Sequence, residues 1–149
     1  EEVFAYKNKY GVEHRTETSN GENIYSIIIT FPSGNTIEFS SLNYRYLLGY
    51  LAGEDKKGNL YVFLNPFENI EEYAKVSPQC KLIGRISIYA PQVIYHYSIE
   101  RERISSNGDL YLMSCDAKEF WIDCYPAELF DKPEGRDFTN LYPPDKYPR

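Results

Sequence analysis

The sequence predicts an α+β domain that is mostly β: an antiparallel sheet, strongly twisted or closed into two layers, with one short helix and an extended proline-rich C-terminal tail. Three observations predict it. Apolar and polar residues alternate with a period of two along much of the chain, β-branched and aromatic residues fill those runs, and Gly, Pro, Asn and Ser interrupt them at short intervals. Successive side chains of a strand point to opposite faces, so this period marks a surface buried on one side.

Residues 23–31, NIYSIIITF, form the first such run. PSGN at 32–35 supplies turn residues, and Ile37 and Phe39 then alternate against Thr36 and Glu38, which makes a hairpin. The segment 41–64 has two readings. SLNYRYLLGYLAG fits a helix capped by Ser41 and stopped by Gly53, or a strand that turns at GEDKKG into NLYVFL. Three tyrosines and the internal Gly49 weaken the helix, so the hairpin is expected.

A helix is expected at 66–76. Asn65 caps it, Pro66 takes its first position, Glu68 completes an N-x-x-E arrangement, Phe67, Ile70, Tyr73 and Ala74 form a stripe, and Pro78 stops it. Further on, Leu82, Gly84, Ile86 and Ile88 share one face of 81–89, and Ala90–Pro91 turns the chain into a returning strand at 92–101. A third hairpin joins 108–114 to 119–125 through CDAK. Its second strand sets Phe120, Ile122 and Cys124 against Glu119, Trp121, Asp123 and Tyr125.

A weak echo runs through these hairpins: GNTIEF from Gly34, GNLYVF from Gly58, GRISIY from Gly84 and GDLYLM from Gly108, at intervals of 24, 26 and 24 residues. Propeller blades take some 40 residues each, so hairpins of equal length are the expected meaning. Five of the nine prolines fall in the last 24 residues, where regular structure should be scarce. Leu129, Phe130, Phe138, Leu141, Tyr142 and Tyr147 give that segment too much apolar surface for a freely solvated tail. Residues 126–149 are therefore expected to wrap the sheet or dock on a partner, within a single domain spanning 1–149.

Composition bounds the function. The chain has 149 residues, 16 basic and 22 acidic side chains and a net charge of −6, with no separate basic arm. Nucleic acid is not an expected partner, because phosphate neutralisation needs concentrated Lys and Arg. No apolar run approaches the ~20 residues of a membrane helix. The chain begins at Glu1 rather than methionine, which reads as removal of a targeting segment or trimming, and a periplasmic or secreted setting is favoured over the cytoplasm.

Cys80, Cys115 and Cys124 lack the paired spacing of a structural zinc site, so no metal and no cofactor is expected. They read as three buried thiols. If a bridge forms, Cys80 is the better partner, because Cys115 and Cys124 sit at unequal heights on their hairpin.

Catalytic patterns are scarce. There is no G-x-x-x-x-G-K-[ST], G-x-G-x-x-G, H-E-x-x-H or G-x-S-x-G. His96, Ser98, Glu100 and Glu102 share one strand face, which permits a small hydrolase built on His96 and Glu100. A solvated face of alternating charges explains the same residues. No catalytic residue is assigned.

Aromatic residues are in excess, with fifteen tyrosines, eight phenylalanines and Trp121. Tyrosines fall on opposite strand faces, so one core is not expected to hold them all. Tyr89, Tyr95, Tyr97 and Trp121 are the candidates for exposed contact surface. ISSNGD at 104–109 forms a small polar tip, which nominates Ser105, Ser106, Asn107 and Asp109 for insertion into another molecule's cleft.

The first expectation is therefore a non-catalytic protein-binding protein: an inhibitor or immunity-type partner that blocks the cleft of an enzyme or toxin with a basic surface. The alternative is a carbohydrate- or ligand-binding β module that stacks its ligand on Trp121 and neighbouring tyrosines.

Overall fold

The computed structural model describes residues 5–42, 48–67, 70–89, 102–115 and 120–139. After a 3-10 turn at Ala5–Lys9 come β1 (Gly11–Ser19), β2 (Glu22–Thr30), β3 (Thr36–Leu42), β4 (Leu48–Glu54), β5 (Leu60–Phe67), β6 (Ile70–Val76), β7 (Leu82–Tyr89), β8 (Glu102–Ile104), β9 (Leu110–Cys115) and β10 (Phe120–Tyr125). A second 3-10 turn at Ala127–Leu129 leads to β11 (Arg136–Phe138). Among the described residues the helical pieces are all of the 3-10 type.

Three sheets result. The first is β1-β2-β3, the middle is β11-β7-β6-β5-β4, and the third is β10-β9-β8. All neighbours are antiparallel except β11, which runs parallel to β7. The middle sheet is covered on both faces. Leu60, Val62, Leu64, Ala74 and Val76 meet Ile27, Ile29, Phe31 and Phe39 of the first sheet and the turn beyond it. Tyr61, Phe63, Tyr73, Ile86 and Ile88 meet Leu110, Leu112 and Tyr125 of the third sheet, together with Phe130.

The unbroken run Leu60–Leu64 follows from this position. A strand buried on both faces has no polar side to present, so the alternation is lost. Each fully buried side chain of this size contributes about 1.5–3 kcal/mol through removal of its surface from water.

Two cores rather than one also account for most of the described tyrosines. Tyr61, Tyr73 and Tyr125 are buried, and Tyr6, Tyr10, Tyr25 and Tyr50 pack half-buried at the margins of the cores. The expected surplus of surface rings is thus largely internal in the described residues.

The helix expected at 66–76 is replaced by strand. Phe67 ends β5, and Ile70–Val76 is β6, hydrogen-bonded to β5 on one side and β7 on the other. Tyr73 and Ala74 are adjacent and both wholly buried, one facing each core. On a helix they read as part of one stripe; on a doubly covered strand each has its own core to enter. The Asn65-Pro66 cap signal falls where the β5–β6 register shifts between Leu64 and Phe67.

The hairpins at 23–40 and 108–125 form as expected, and the hairpin reading of the next segment holds for β4 and β5. Residues 81–89 also form a strand. Its neighbours are β6 and β11, and the returning strand expected at 92–101 lies outside the described residues. A register shift between Lys75 and Val76 pairs Val76 with Leu82, which turns Leu82 to the first core while Gly84, Ile86 and Ile88 face the second side.

The C-terminal segment holds more regular structure than its prolines suggest. Phe130 is buried in the second core, and its backbone passes so close to Gly84 that a Cβ there would lie 2.4 Å from the Phe130 carbonyl carbon. Residues 140–149 lie outside the described residues. Cys80 and Cys124 are free thiols, the first half-buried and the second exposed, so Cys124 is not the interior hydrophobe expected.

Candidate functional site

Four hairpins close with one turn. In Phe31–Asn35, Asp55–Asn59, Ser77–Lys81 and Ser105–Asp109, the first N–H donates to the fifth carbonyl and the fourth N–H donates to the first carbonyl. The fourth residue must take a left-handed backbone, and it is Gly34, Gly58, Cys80 and Gly108, at φ of 93, 85, 64 and 92°. The sequence echo thus marks a real repeat at three of its four glycines. Gly84 is not a turn residue but the place where the Phe130 backbone crosses, and Cys80 fills the third turn instead.

The turns gather at one end of the stack. Tyr10 packs edge-on against Phe31 and donates its hydroxyl to Glu54 at 2.7 Å, and Lys56 N donates to the Ser106 carbonyl at 3.0 Å. This last bond clasps the Asp55–Asn59 turn to the Ser105–Asp109 turn. Beneath the clasp lies Asp55, whose Oδ1 accepts from Lys57 N and Asn59 N and whose Oδ2 accepts from Asn59 Nδ2 and Tyr61 Oη, all at 2.9–3.0 Å.

Burial opposes the Asp55 charge, but the bonds from Asn59, Tyr61 and Lys57 outweigh it and hold the carboxyl below its usual range. Burial first, and the hydrogen bond to Asp55 second, push the Tyr61 phenol far above its ordinary value. Gly108 sits over this pair, and a Cβ there would lie 2.5 Å from Tyr61 Oη.

The turn residues nominated from sequence are brought together. Ser105 Oγ accepts from Asp109 N at 3.0 Å, Asp109 Oδ1 accepts from Ala127 N at 2.8 Å, and Ser106 and Asn107 stand exposed at the tip. Ser105 and Asp109 therefore hold the turn, while Ser106 and Asn107 present it. The tip is not a free loop, because its backbone is tied to a neighbouring turn whose own tip presents exposed Lys56 and Lys57.

Tyr89 is not part of this edge. It is half-buried at the far end of β7, opposite Ile70. Trp121 pairs through its backbone with Ser114 on the third sheet. Tyr95, Tyr97, His96 and Glu100 lie outside the described residues.

Other features escaped the sequence reading. Glu102, taken as part of a solvated charged face, is buried between the middle and third sheets, where its Oε1 accepts the hydroxyls of Tyr50 at 2.7 Å and Tyr73 at 3.1 Å. Glu71 is buried as deeply on the same face of the middle sheet. Two phenols converging on one carboxylate make a polar tie between sheets, and no pattern of sequence spacing announces it. The other histidine is structural: the His14 Nε2–H donates to the Gly49 carbonyl at 2.9 Å, fixing the first sheet against β4.

The third sheet carries the other unexpected feature, an apolar outer face. Tyr111 and Met113 on β9 lie opposite Cys124 and Ile122 on β10, and Tyr111, Met113 and Ile122 are 39%, 42% and 61% exposed. The Tyr111 hydroxyl bonds to the Cys124 thiol, which raises the phenol's pKa. Leu110, Leu112 and Tyr125 take the inner face.

No protein-family model, curated protein or solved structure matches this chain. The site is therefore read from its own chemistry. Among the described residues no helix is long and apolar enough to cross a membrane, and no three His, Cys, Asp or Glu side chains are grouped to hold a metal ion.

Proposed function

We propose that this chain is a non-catalytic protein-binding protein, an inhibitor or immunity-type partner that presents the clasped turn edge to the cleft of another protein. The observation that carries the reading is the Lys56–Ser106 backbone bond, which fixes two exposed polar tips over the buried Asp55–Tyr61 pair. A tip ordered before binding loses less conformational entropy on docking, and this raises affinity for a given contact area. Ser106 and Asn107 offer hydrogen bonds, Lys56 and Lys57 offer charge, and the acidic net charge of −6 favours encounter with a basic surface.

Calorimetry against the product of the neighbouring gene tests this reading. The expected result is a one-to-one complex of nanomolar affinity that Ser106→Arg with Asn107→Ala weakens at least about tenfold, roughly the effect of losing a central contact. No heat at micromolar concentration, or a complex indifferent to both substitutions, overturns it.

A further inference from the structure

Asparagine followed by glycine occurs twice in the chain, in matched surroundings: Ser19-Asn20-Gly21-Glu22 and Ser106-Asn107-Gly108-Asp109. Asparagine is a thermolabile side chain. A glycine after it has no Cβ to keep the side-chain amide away from the next backbone nitrogen, so the two sequences offer the same chemistry. The fold separates them. Both asparagines are exposed, so access to water does not decide between them; the glycine that follows does.

Gly21 lies in the two-residue turn between β1 and β2, with Asn20 at φ 54° and Gly21 at φ 79°, the left-handed pair that suits Asn-Gly. Gly21 is exposed, and among the described residues its N–H donates to no backbone carbonyl. Apart from its chain neighbours, nothing lies within 4 Å of the place a Cβ would take. At the other site the Gly108 N–H donates to the Ser105 carbonyl at 2.9 Å. Gly108 is buried under Tyr61 Oη, Asp55 Oδ2 and Ala127 Cβ, and the Lys56–Ser106 clasp holds the chain just before Asn107.

We infer that Asn20 is a modification site, which converts spontaneously to aspartate and isoaspartate, while the clasped turn preserves Asn107 as the amide. In the first step the Gly21 nitrogen loses its proton to hydroxide and attacks Asn20 Cγ. The new C–N bond closes a succinimide, the bond from Cγ to the side-chain nitrogen breaks, and that nitrogen leaves as ammonia. Water then adds to either ring carbonyl and opens the ring to aspartate or isoaspartate. One water is consumed and one ammonia released, with no oxidant or reductant. The Gly108 nitrogen reaches the same path only from the fraction of molecules in which its turn has opened.

β2 runs from the Asn20-Gly21 turn to the Phe31–Asn35 turn, so the reactive turn lies at the end of the first sheet opposite the turn edge. The new carboxylate adds one negative charge beside Glu17 and Glu22. An isoaspartate also adds a backbone carbon to a turn whose Ser19–Glu22 pairing sets the register of β1 on β2. This inference concerns a surface separate from the turn edge and stands independently of the protein-binding reading.

Peptide mapping by mass spectrometry tests it on the full native chain, incubated at mildly alkaline pH and sampled over days. Conversion at Asn20 is expected at least about fivefold faster than at Asn107, the factor that one net hydrogen bond supplies. Isoaspartate is expected among the products at residue 20, because the ring opens at either carbonyl. In urea, which opens both turns, the two rates are expected to converge. Asn107 reacting as fast as Asn20 in the native chain overturns the inference. So does a difference that persists in urea, or aspartate without isoaspartate at residue 20.

Discussion

The first and third sheets are both three-stranded, and both press an aliphatic inner face on the middle sheet, yet their outer faces differ in kind. Glu13, Arg15, Glu38 and Ser40 occupy the outer face of one around half-buried Ile28 and buried Ser26, with an ion pair at 2.9 Å and a chain of hydrogen bonds from Ser26 through Ser40 to Glu38. Tyr111, Met113 and Ile122 occupy the other. Strand propensity is similar in the two, so it does not set the difference. What differs is the choice of residue at equivalent outward positions, charged on one sheet and apolar on the other.

If the inner faces are equivalent and the outer ones are not, substitutions should show it. The largest effects fall on the inner faces: Ile27→Ala in the first sheet and Leu112→Ala in the third should each cost about 2–5 kcal/mol in urea unfolding, because both leave a cavity in a closed core. An effect confined to one of the two would show that one sheet is only loosely attached.

Next comes the turn clasp. Gly108→Ala forces a side chain onto a left-handed backbone and against Tyr61 Oη, and should cost upwards of about 1 kcal/mol. Gly34→Ala meets the same backbone strain with nothing within 4 Å, so its smaller loss isolates the contribution of the clasp.

The pH dependence follows from the same pair. The Asp55 pKa is depressed in the fold, so the stability it contributes is present above the ordinary aspartate value near 4 and is lost as pH falls through the lower folded value. The Tyr61 pKa is raised, so its contribution is present below about pH 10 and declines as pH rises past that point. Asp55→Asn should flatten the acid limb of a stability-against-pH curve and leave the limb between pH 5 and 8 parallel to the parent. An unchanged acid limb would mean that other carboxylates control it.

The smallest effect is expected at the polar end. Arg15→Ala breaks an exposed pair with Glu13 and should leave the thermal midpoint within error of the parent.

The β class, the turns at Phe31–Asn35 and Asp55–Asn59 and the position of the Ser105–Asp109 tip were legible, because each depends on local chemistry: β-branched runs, left-handed glycines and small polar residues; the Asn20-Gly21 turn joining β1 to β2 and the Ser77–Lys81 turn built on Cys80 were not read. The helix at 66–76 failed because a strand covered on both faces abandons the period of two, so Tyr73 and Ala74 imitate a helical stripe. Surface and interior were misread for a related reason. On β10 the alternation of Ile122 and Cys124 against Asp123 and Tyr125 was visible, but which set faces inward is decided by the neighbouring sheet, and there the tyrosine went in and the isoleucine out. Glu102 was hidden in the same way, since its two phenol donors come from β4 and β6, 52 and 29 residues away.

The most direct test of which residues face outward on the third sheet is the rate at which maleimide labels each cysteine of the native protein, read peptide by peptide by mass spectrometry. The account predicts that Cys124, exposed on the outer face of the third sheet, is labelled faster than half-buried Cys80. A Cys124 rate no faster than that of Cys80 would contradict it.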